Sequence, residues 1–402
     1  KAAHMARRAA DFGVAIGSAV GVDMKAVKAR KDRVSGDARR NVEKWLNGMQ
    51  GCTVFAGQAR FESATDVRVG SELLTAPRIF IDVGGRAAVP DMPGVGTVPT
   101  LTNTTILELD EVPRHLVVVG GSYIGLEFAQ MVRRFGAQVT VVEKAARLIG
   151  REDEDVSEAI RAILEAEGIA VRLGAECIRF DPRGNDIGVG VQCTAGEPEV
   201  VGSHVLLAVG RRPNTDDLGL ERAGVETDAR GYIRVDDELH SNVAGIWALG
   251  DCNGRGAFTH TAYNDFEIVA ANLLDHEPRR VSDRIEAYAL YIDPPLGRAG
   301  MTEAQAMKAG HKVRVGKRPM TRVGRAVEKG ETQGFMRAIV DAETKQIAGV
   351  TVLGTGGDEA IHALLYAMYA RATAKTVAHS MGIHPTVCEL WPTLLGDLHL
   401  LT

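Results

Sequence analysis

Three short stretches hold residues whose types and spacing suit chemistry. In VVVGGSYIGLEFA, Gly120, Ser122 and Gly125 occupy the three positions of a G-x-G-x-x-G turn, and Glu143 ends the apolar run that follows. A glycine at the first position permits the tight turn, a small residue at the second admits a pyrophosphate, and a glycine at the third lets helix pack on strand. The helix N-terminus then faces the phosphates, and the acid takes the ribose hydroxyls. Ser122 departs from glycine, so the strand–helix–strand setting carries the reading. A carboxylate at Glu143 favours the 2′-hydroxyl of NADH over the 2′-phosphate of NADPH. Lys144 and Arg147 offset that preference, and both nucleotides stay open. In GIWALGDC, Gly250 and Asp251 follow an apolar run. An Asp at a strand's C-terminal end accepts hydrogen bonds from a ligand hydroxyl, although alone the pair reads as an ordinary turn. In MGIHPTVCELWP, His384 precedes Glu389 by five residues. An imidazole oriented by a carboxylate suits proton exchange near neutrality, and a charged one stabilises a thiolate. Standing alone, the same stretch reads as a helix-start histidine in a core.

The elements that must position these residues are legible as periodicity. HLVVVGG reads as a strand, SYIGLEFAQMVRRFG as a helix closed by Gly136, and AQVTVVEK as a strand. EDEDVSEAIRAILEAEG reads as a helix, acidic at its start as the helix dipole favours, and IAVRLGA as a third strand. That order is the dinucleotide-binding half of a doubly wound sheet. Residues 1–48 read as helical, with a solvated charged face. CTVFAGQARF and VRVGSELLTAPRIFIDVGG read as short β runs before the PDMPGV loop. A β-rich stretch leads to HVLLAVGRRPNT, and AYNDFEIVAANLLDH reads as a helix. From about Ile285 the pattern becomes α+β, ending in the helix DEAIHALLYAMYAR, apolar on more than one face. Such a helix calls for a second partner surface, which a two-fold homodimer supplies.

Composition narrows the class. The 402 residues are 45% hydrophobic and 25% charged with a net charge of −5, which gives no basic excess for nucleic acid. The apolar runs are too short for a membrane helix. The five cysteines, Cys52, Cys177, Cys193, Cys252 and Cys388, form no local pair. That spacing argues against a zinc site and fits a reducing cytoplasm. Lys1 begins in what reads as mid-helix, with no signal peptide.

Taken together, the ordered motifs resemble the FAD-dependent pyridine nucleotide–disulfide oxidoreductases, among them dihydrolipoamide dehydrogenase, glutathione reductase and mercuric reductase. FAGQARF and IFIDVGGRAAVPDMPG look like the middle of the family's FAD domain. GGSYIGLEFA is similar to its NAD(P) motif, VGRRPNT to its G-R-x-P-N stretch (Gly210 and Arg211), and GIWALGD to its second FAD motif. PPLGRAGMTEAQA resembles the start of its interface domain, and HPTVCE its closing motif. The resemblance implies an α/β fold: two doubly wound FAD- and NAD(P)-binding domains plus an α+β C-terminal dimerisation domain. The expected limits are 1–111 for the first FAD segment, 112–228 for NAD(P), 229–282 for the FAD return segment and 283–402 for the dimer domain. It implies that Tyr123 shields the flavin face, that Glu127 pairs with a lysine beside the flavin and that Asp251 holds the ribityl chain. His384 then acts as acid/base toward a dithiol, oriented by Glu389 and delivered to the partner subunit's flavin.

The departures shape the functional expectation. The family's first FAD motif and its Cys-x4-Cys pair precede a helix like KAAHMARRAA, and neither occurs in the 402 residues. These residues alone offer half an FAD site and no redox dithiol, so an upstream segment carrying both is expected. Cys388 stands where the family usually has Ser, one turn from His384, and is expected to be a buried, inert thiol. The GDLHLLT end carries no vicinal cysteine pair of the mercuric reductase kind. The expected activity passes hydride from NADH or NADPH through FAD and a cysteine pair to a disulfide or metal acceptor, closest to the mercuric-reductase-like branch. No resident metal is expected. The alternatives are a dihydrolipoamide dehydrogenase-type reductase and, were the N-terminus truly lost, a non-catalytic nucleotide-binding protein.

Overall fold

The structure is a computed structural model that describes residues 1–192 and 197–401; Cys193 lies outside the described residues. The chain forms two compact units. One comprises Lys1–Met24, Val89–Val209 and Ile285–Thr402, and the other Lys25–Ala88 and Gly210–Arg284.

In the first unit the parallel strands lie in the order His204–Leu207, His115–Val119, Gln138–Val142, Ala170–Arg172. The valine- and leucine-rich runs of the first three are buried on both faces, as parallel strands require, while the edge strand Ala170–Arg172 is only partly buried. Helices Tyr123–Phe135 and Glu154–Ala166 cover one face through Leu126, Ala129, Ile160 and Leu164. The other face is covered by an antiparallel sheet, Glu176–Arg183, Asp186–Gln192 and Glu199–Gly202, through Phe180, Ile187 and Val189. Both helices carry an apolar stripe at helical spacing, which is why each lies flat on the sheet.

The C-terminal part of this unit is an antiparallel sheet. Among the described residues its order is Ala287–Leu290, Leu296–Gly300, Ile347–Leu353, Phe335–Asp341, Val313–Pro319 and His399–Leu400. Helix Gly357–Tyr369 buries Ile361, Leu364 and Leu365 against Ala299, Val350 and Val352, and leaves Tyr366 and Tyr369 exposed. The expectation of apolar residues on more than one face of this helix therefore holds. A polar seam ties this sheet to the parallel-sheet half of the unit. Buried Arg337 bonds Asp153 and Asp155, while Asp153 accepts the Glu303 and Ala304 amides at the start of helix Glu303–Lys308.

In the second unit, parallel strands Ile79–Ile81 and Ile246–Ala248 pair, and Gly85–Ala87 pairs antiparallel with Arg211–Pro213. Helix Thr259–Ala270 packs Ile268 and Val269 on Trp247 and Leu249. The N-terminal stretch differs from the continuous helix expected over 1–48. Helix Ala2–Arg7 passes through a short turn to Phe12 and stops at Gly13, whose φ of +76° is left-handed; helix resumes only at Met24–Gly48. Gly13, Gly17 and Gly21 make the intervening GVAIGSAVGVD a poor helix former. Within CTVFAGQARF only Ala59–Phe61 is strand. No described helix is long and apolar enough to cross a membrane.

Candidate active site

The glycine turn sits in the first unit between strand His115–Val119 and helix Tyr123–Phe135. Gly120 has φ +115°, and a Cβ there would lie 2.3 Å from the Ala208 carbonyl oxygen. A Cβ at Gly125 would lie 2.1 Å from the Gly120 oxygen and 3.2 Å from Val118 Cγ1. Both positions accept only glycine, because backbone meets backbone there. Gly121 is similarly closed off by Leu148 and Glu143. Ser122 is the exposed residue preceding the helix, and its side chain makes no capping bond, so the first amides of the helix stay open to an anion. Glu143 ends strand Gln138–Val142 beside the turn. Its carboxylate accepts the amides of Gly121 and, at 2.7 Å, Ala145. The turn and its acid, which are distant in sequence, are thus held against each other.

Tyr123 and Glu127 occupy successive turns of the same helix. The Tyr123 ring meets Tyr288 edge-on at 5.5 Å, with the Arg151 guanidinium 5.2 Å from its centroid. Burial raises the pKa of the phenol, which keeps it protonated. Glu127 accepts the Tyr291 amide at 2.8 Å, and burial raises its pKa as well.

A second constellation lies at the C-terminal ends of the parallel strands of the second unit, where open α/β sheets bind ligands. Gly250, at φ +68°, turns the chain after Ile246–Ala248, and Asp251 follows. Arg211 donates to Asp251 Oδ2 at 3.1 Å and to the Gly85 carbonyl, so it orients the acid. Gly210, at φ +127°, accepts the Ala88 amide. Asp251 Oδ1 has no hydrogen-bond partner among the described residues, leaving it to accept from a hydroxyl-rich ligand. Sequence reasoning missed Asp82. It ends the neighbouring strand Ile79–Ile81 and packs against Gly250, and burial followed by the charges of Asp265 and Asp251 raises its pKa. The signal was present, since IFIDVGG repeats the strand–Asp pattern of GIWALGD. Cys252 beside it is buried, which pushes its thiol up to about 11.

His384 and Glu389 are brought together in the first unit. His384 Nδ1 lies 2.8 Å from Glu389 Oε2, with the imidazole 78% exposed and the carboxylate 20% exposed. Local geometry explains the pairing. Thr386 Oγ1 donates to the Ile383 carbonyl and accepts the Glu389 amide, closing the loop. Gly382 packs so tightly on Glu389 that a Cβ would lie 2.7 Å from its Cα. Buried Trp391 anchors the following helix, Leu390–Leu395. With Nδ1 given to the carboxylate, Nε2 is the nitrogen left for exchange. Cys388 donates instead toward the Ala360 carbonyl, and burial raises its pKa.

Comparison with known proteins decides the family. Residues 9–265 match the description "Pyridine nucleotide-disulphide oxidoreductase", and residues 287–395 match its dimerisation domain. The chain belongs to the pyridine nucleotide-disulphide oxidoreductase family. It is 34% identical over 366 residues to the probable pyridine nucleotide-disulfide oxidoreductase RclA of Escherichia coli, covering 90% of this chain and 82% of that protein. It is 34% identical to a dihydrolipoyl dehydrogenase of Haloferax volcanii (96% and 82% covered) and 31% identical to a mercuric reductase of Streptomyces lividans (97% and 83%). The structure of E. coli RclA, a HOCl-induced flavoprotein disulfide reductase, superposes with a TM-score of 0.87 at 33% identity, covering 93% of this chain and 86% of that one. The α/β fold with FAD- and NAD(P)-binding domains and an α+β dimerisation domain is therefore as expected, and the chain is an NAD(P)H-dependent FAD oxidoreductase. Its own residues fit the cofactor: Asp251 offers a free carboxylate oxygen at a strand end, beside a glycine turn.

If Glu143 holds the nucleotide ribose, Glu143→Ala weakens NADH more than NADPH, because the lost acceptor serves a 2′-hydroxyl. Both weaken somewhat, since the Gly121 and Ala145 amides lose their partner. Titration of each nucleotide by fluorescence checks this, and equal losses would remove Glu143 from the ribose.

Proposed function

We propose that this oxidoreductase reduces a disulfide, with Glu389-oriented His384 as the acid/base for the thiol. The His384–Glu389 pair carries the reading: a metal ion needs no thiol proton, whereas opening a disulfide does. Gly120, Ser122, Gly125 and Glu143 hold the reduced nicotinamide nucleotide, and Gly210, Arg211, Gly250 and Asp251 hold FAD. FAD, when bound, supplies the electron relay between nicotinamide and thiols. The protein's part is to bind, orient and move the proton: Nε2 of the imidazole takes a thiol proton, and the Glu389 carboxylate stabilises the imidazolium that results. Residues 1–111 and 229–282 form the FAD lobe, 112–228 the nucleotide lobe and 283–402 the dimer domain of this reading. The exposed Met381 and Ile383 flanking His384 support a homodimer that covers them and delivers the histidine in trans.

The relatives named mercuric reductase favour metal reduction as a second reading, and their identity is close to that of the dihydrolipoyl dehydrogenases. NADH oxidation by the holoenzyme against small disulfides, dihydrolipoamide's oxidised form and Hg(II) separates them. Turnover of a disulfide that falls with loss of His384 is expected. Turnover of Hg(II) alone, insensitive to His384, would overturn the proposal.

A further inference from the structure

Beneath the glycine turn lies a buried polar chain that neither nucleotide nor thiol chemistry accounts for. Glu152 is 2% exposed and sits in the loop before helix Glu154–Ala166. The Tyr288 hydroxyl donates to its Oε1, and its Oε2 lies 3.5 Å from Nε of Arg298, itself 1% exposed. Arg298 is fixed in turn, donating to the Val350 carbonyl and to Thr351 Oγ1. The Tyr288 proton is committed to Glu152, and the Tyr123 ring packs edge-on against the Tyr288 ring at 5.5 Å. The result is a buried chain in which Tyr123 packs on Tyr288, Tyr288 bonds Glu152, and Glu152 meets a fixed arginine. Such chains strengthen cooperatively in a dry site. At the outer end, the Arg151 guanidinium lies 5.2 Å from the Tyr123 centroid and 5.6 Å from that of Tyr288, so it rests on both rings. Tyr123 opens the helix whose first amides form the turn.

We propose that Glu152 is a positioning residue for nicotinamide-nucleotide binding: through Tyr288 it fixes the Tyr123 ring, and with it the Arg151 cation, at the edge of the glycine turn. The inference rests on the assignment of that turn to the nucleotide. Burying a carboxylate costs free energy that an apolar residue would avoid, so its presence calls for a role beyond packing. Fixing an aromatic ring and a cation where a dianionic pyrophosphate arrives is such a role, because ordering them beforehand removes that cost from binding.

The test is NADH affinity of the holoenzyme, read by fluorescence titration alongside thermal melting. Tyr288→Phe keeps the ring stack and removes one hydroxyl. It is expected to raise the NADH Kd about 3–10-fold, the worth of one lost hydrogen bond. Glu152→Ala is expected to do the same, and Glu152→Gln, which keeps an acceptor for Tyr288, to restore most of the affinity. The KM for NADH rises correspondingly, with kcat nearly unchanged. A purely structural role would lower the melting temperature of Glu152→Ala and leave Kd untouched in Tyr288→Phe, which would overturn the proposal. Glu143→Ala serves as reference. Unchanged affinity there as well would overturn the turn assignment and the relay together, whereas unchanged affinity in Tyr288→Phe alone overturns only the relay.

Discussion

His384→Ala is expected to slow reduction of a disulfide acceptor by about 10²–10⁴-fold, the usual worth of a positioned general acid or base. Reduction of the holoenzyme by NADH, which needs no thiol proton, stays nearly at the wild-type rate. The geometry makes the expectation specific. Nδ1 is held by Glu389 at 2.8 Å while the ring is otherwise open to solvent, so one nitrogen is fixed and the other is free to work. Glu389→Gln keeps a hydrogen-bond acceptor but loses the charge that stabilises the imidazolium, and gives a milder loss in the same step. Stopped-flow measurement of the two half-reactions separates these outcomes. A slowed NADH phase with normal acceptor turnover would reverse the assignment. A stable monomer with full activity would end the arrangement in which His384 serves the partner subunit.

The fold was legible wherever one residue decides a local conformation. Gly120 and Gly136 bracket helix Tyr123–Phe135, Gly125 sits in its first turn, and the apolar runs around it read directly as buried strands. Asp251 and the His384–Glu389 pair were legible because each sits at the junction of two elements, where pattern changes sharply. What stayed hidden depends on contacts between residues far apart in sequence. The acidic run REDEDV reads as dipole-favoured charge at a helix start. In the fold Glu152 turns inward to Tyr288 and Arg298, and Asp153 caps a helix at Glu303. No period in the sequence encodes a partner more than a hundred residues away. Arg298 was hidden for the same reason: nothing within PPLGRAG marks it as buried, and it is 1% exposed. The break between Gly13 and Met24 is masked in the sequence because the charged residues on both sides have good helix propensity, although the three glycines between them do not.

Gly125→Ala is the second large effect. A methyl there would sit 2.1 Å from the Gly120 carbonyl oxygen and 3.3 Å from Ala208 Cβ, with Val118 closing a third side. None of these is the end of a flexible side chain, so the helix must move off the strand by the order of an ångström, and the amides of the turn move with it. Displacement on that scale costs about 10²-fold in a positioned reaction, and NADH-driven reduction of the holoenzyme is expected to fall by at least that factor. Reduction by a small dithiol, which bypasses the turn, stays near the wild-type rate. Gly136→Ala is the comparison. It lies at the other end of the same helix, where φ is +123° but no atom lies within 4 Å of the added Cβ. It carries conformational strain of about 1 kcal/mol and shifts only the melting temperature. If both variants lose stability but keep NADH kinetics, the turn packs helix on strand without holding the nucleotide. If Gly125→Ala alone loses the NADH phase while the dithiol phase persists, close packing at the turn is what places its amides for the phosphates.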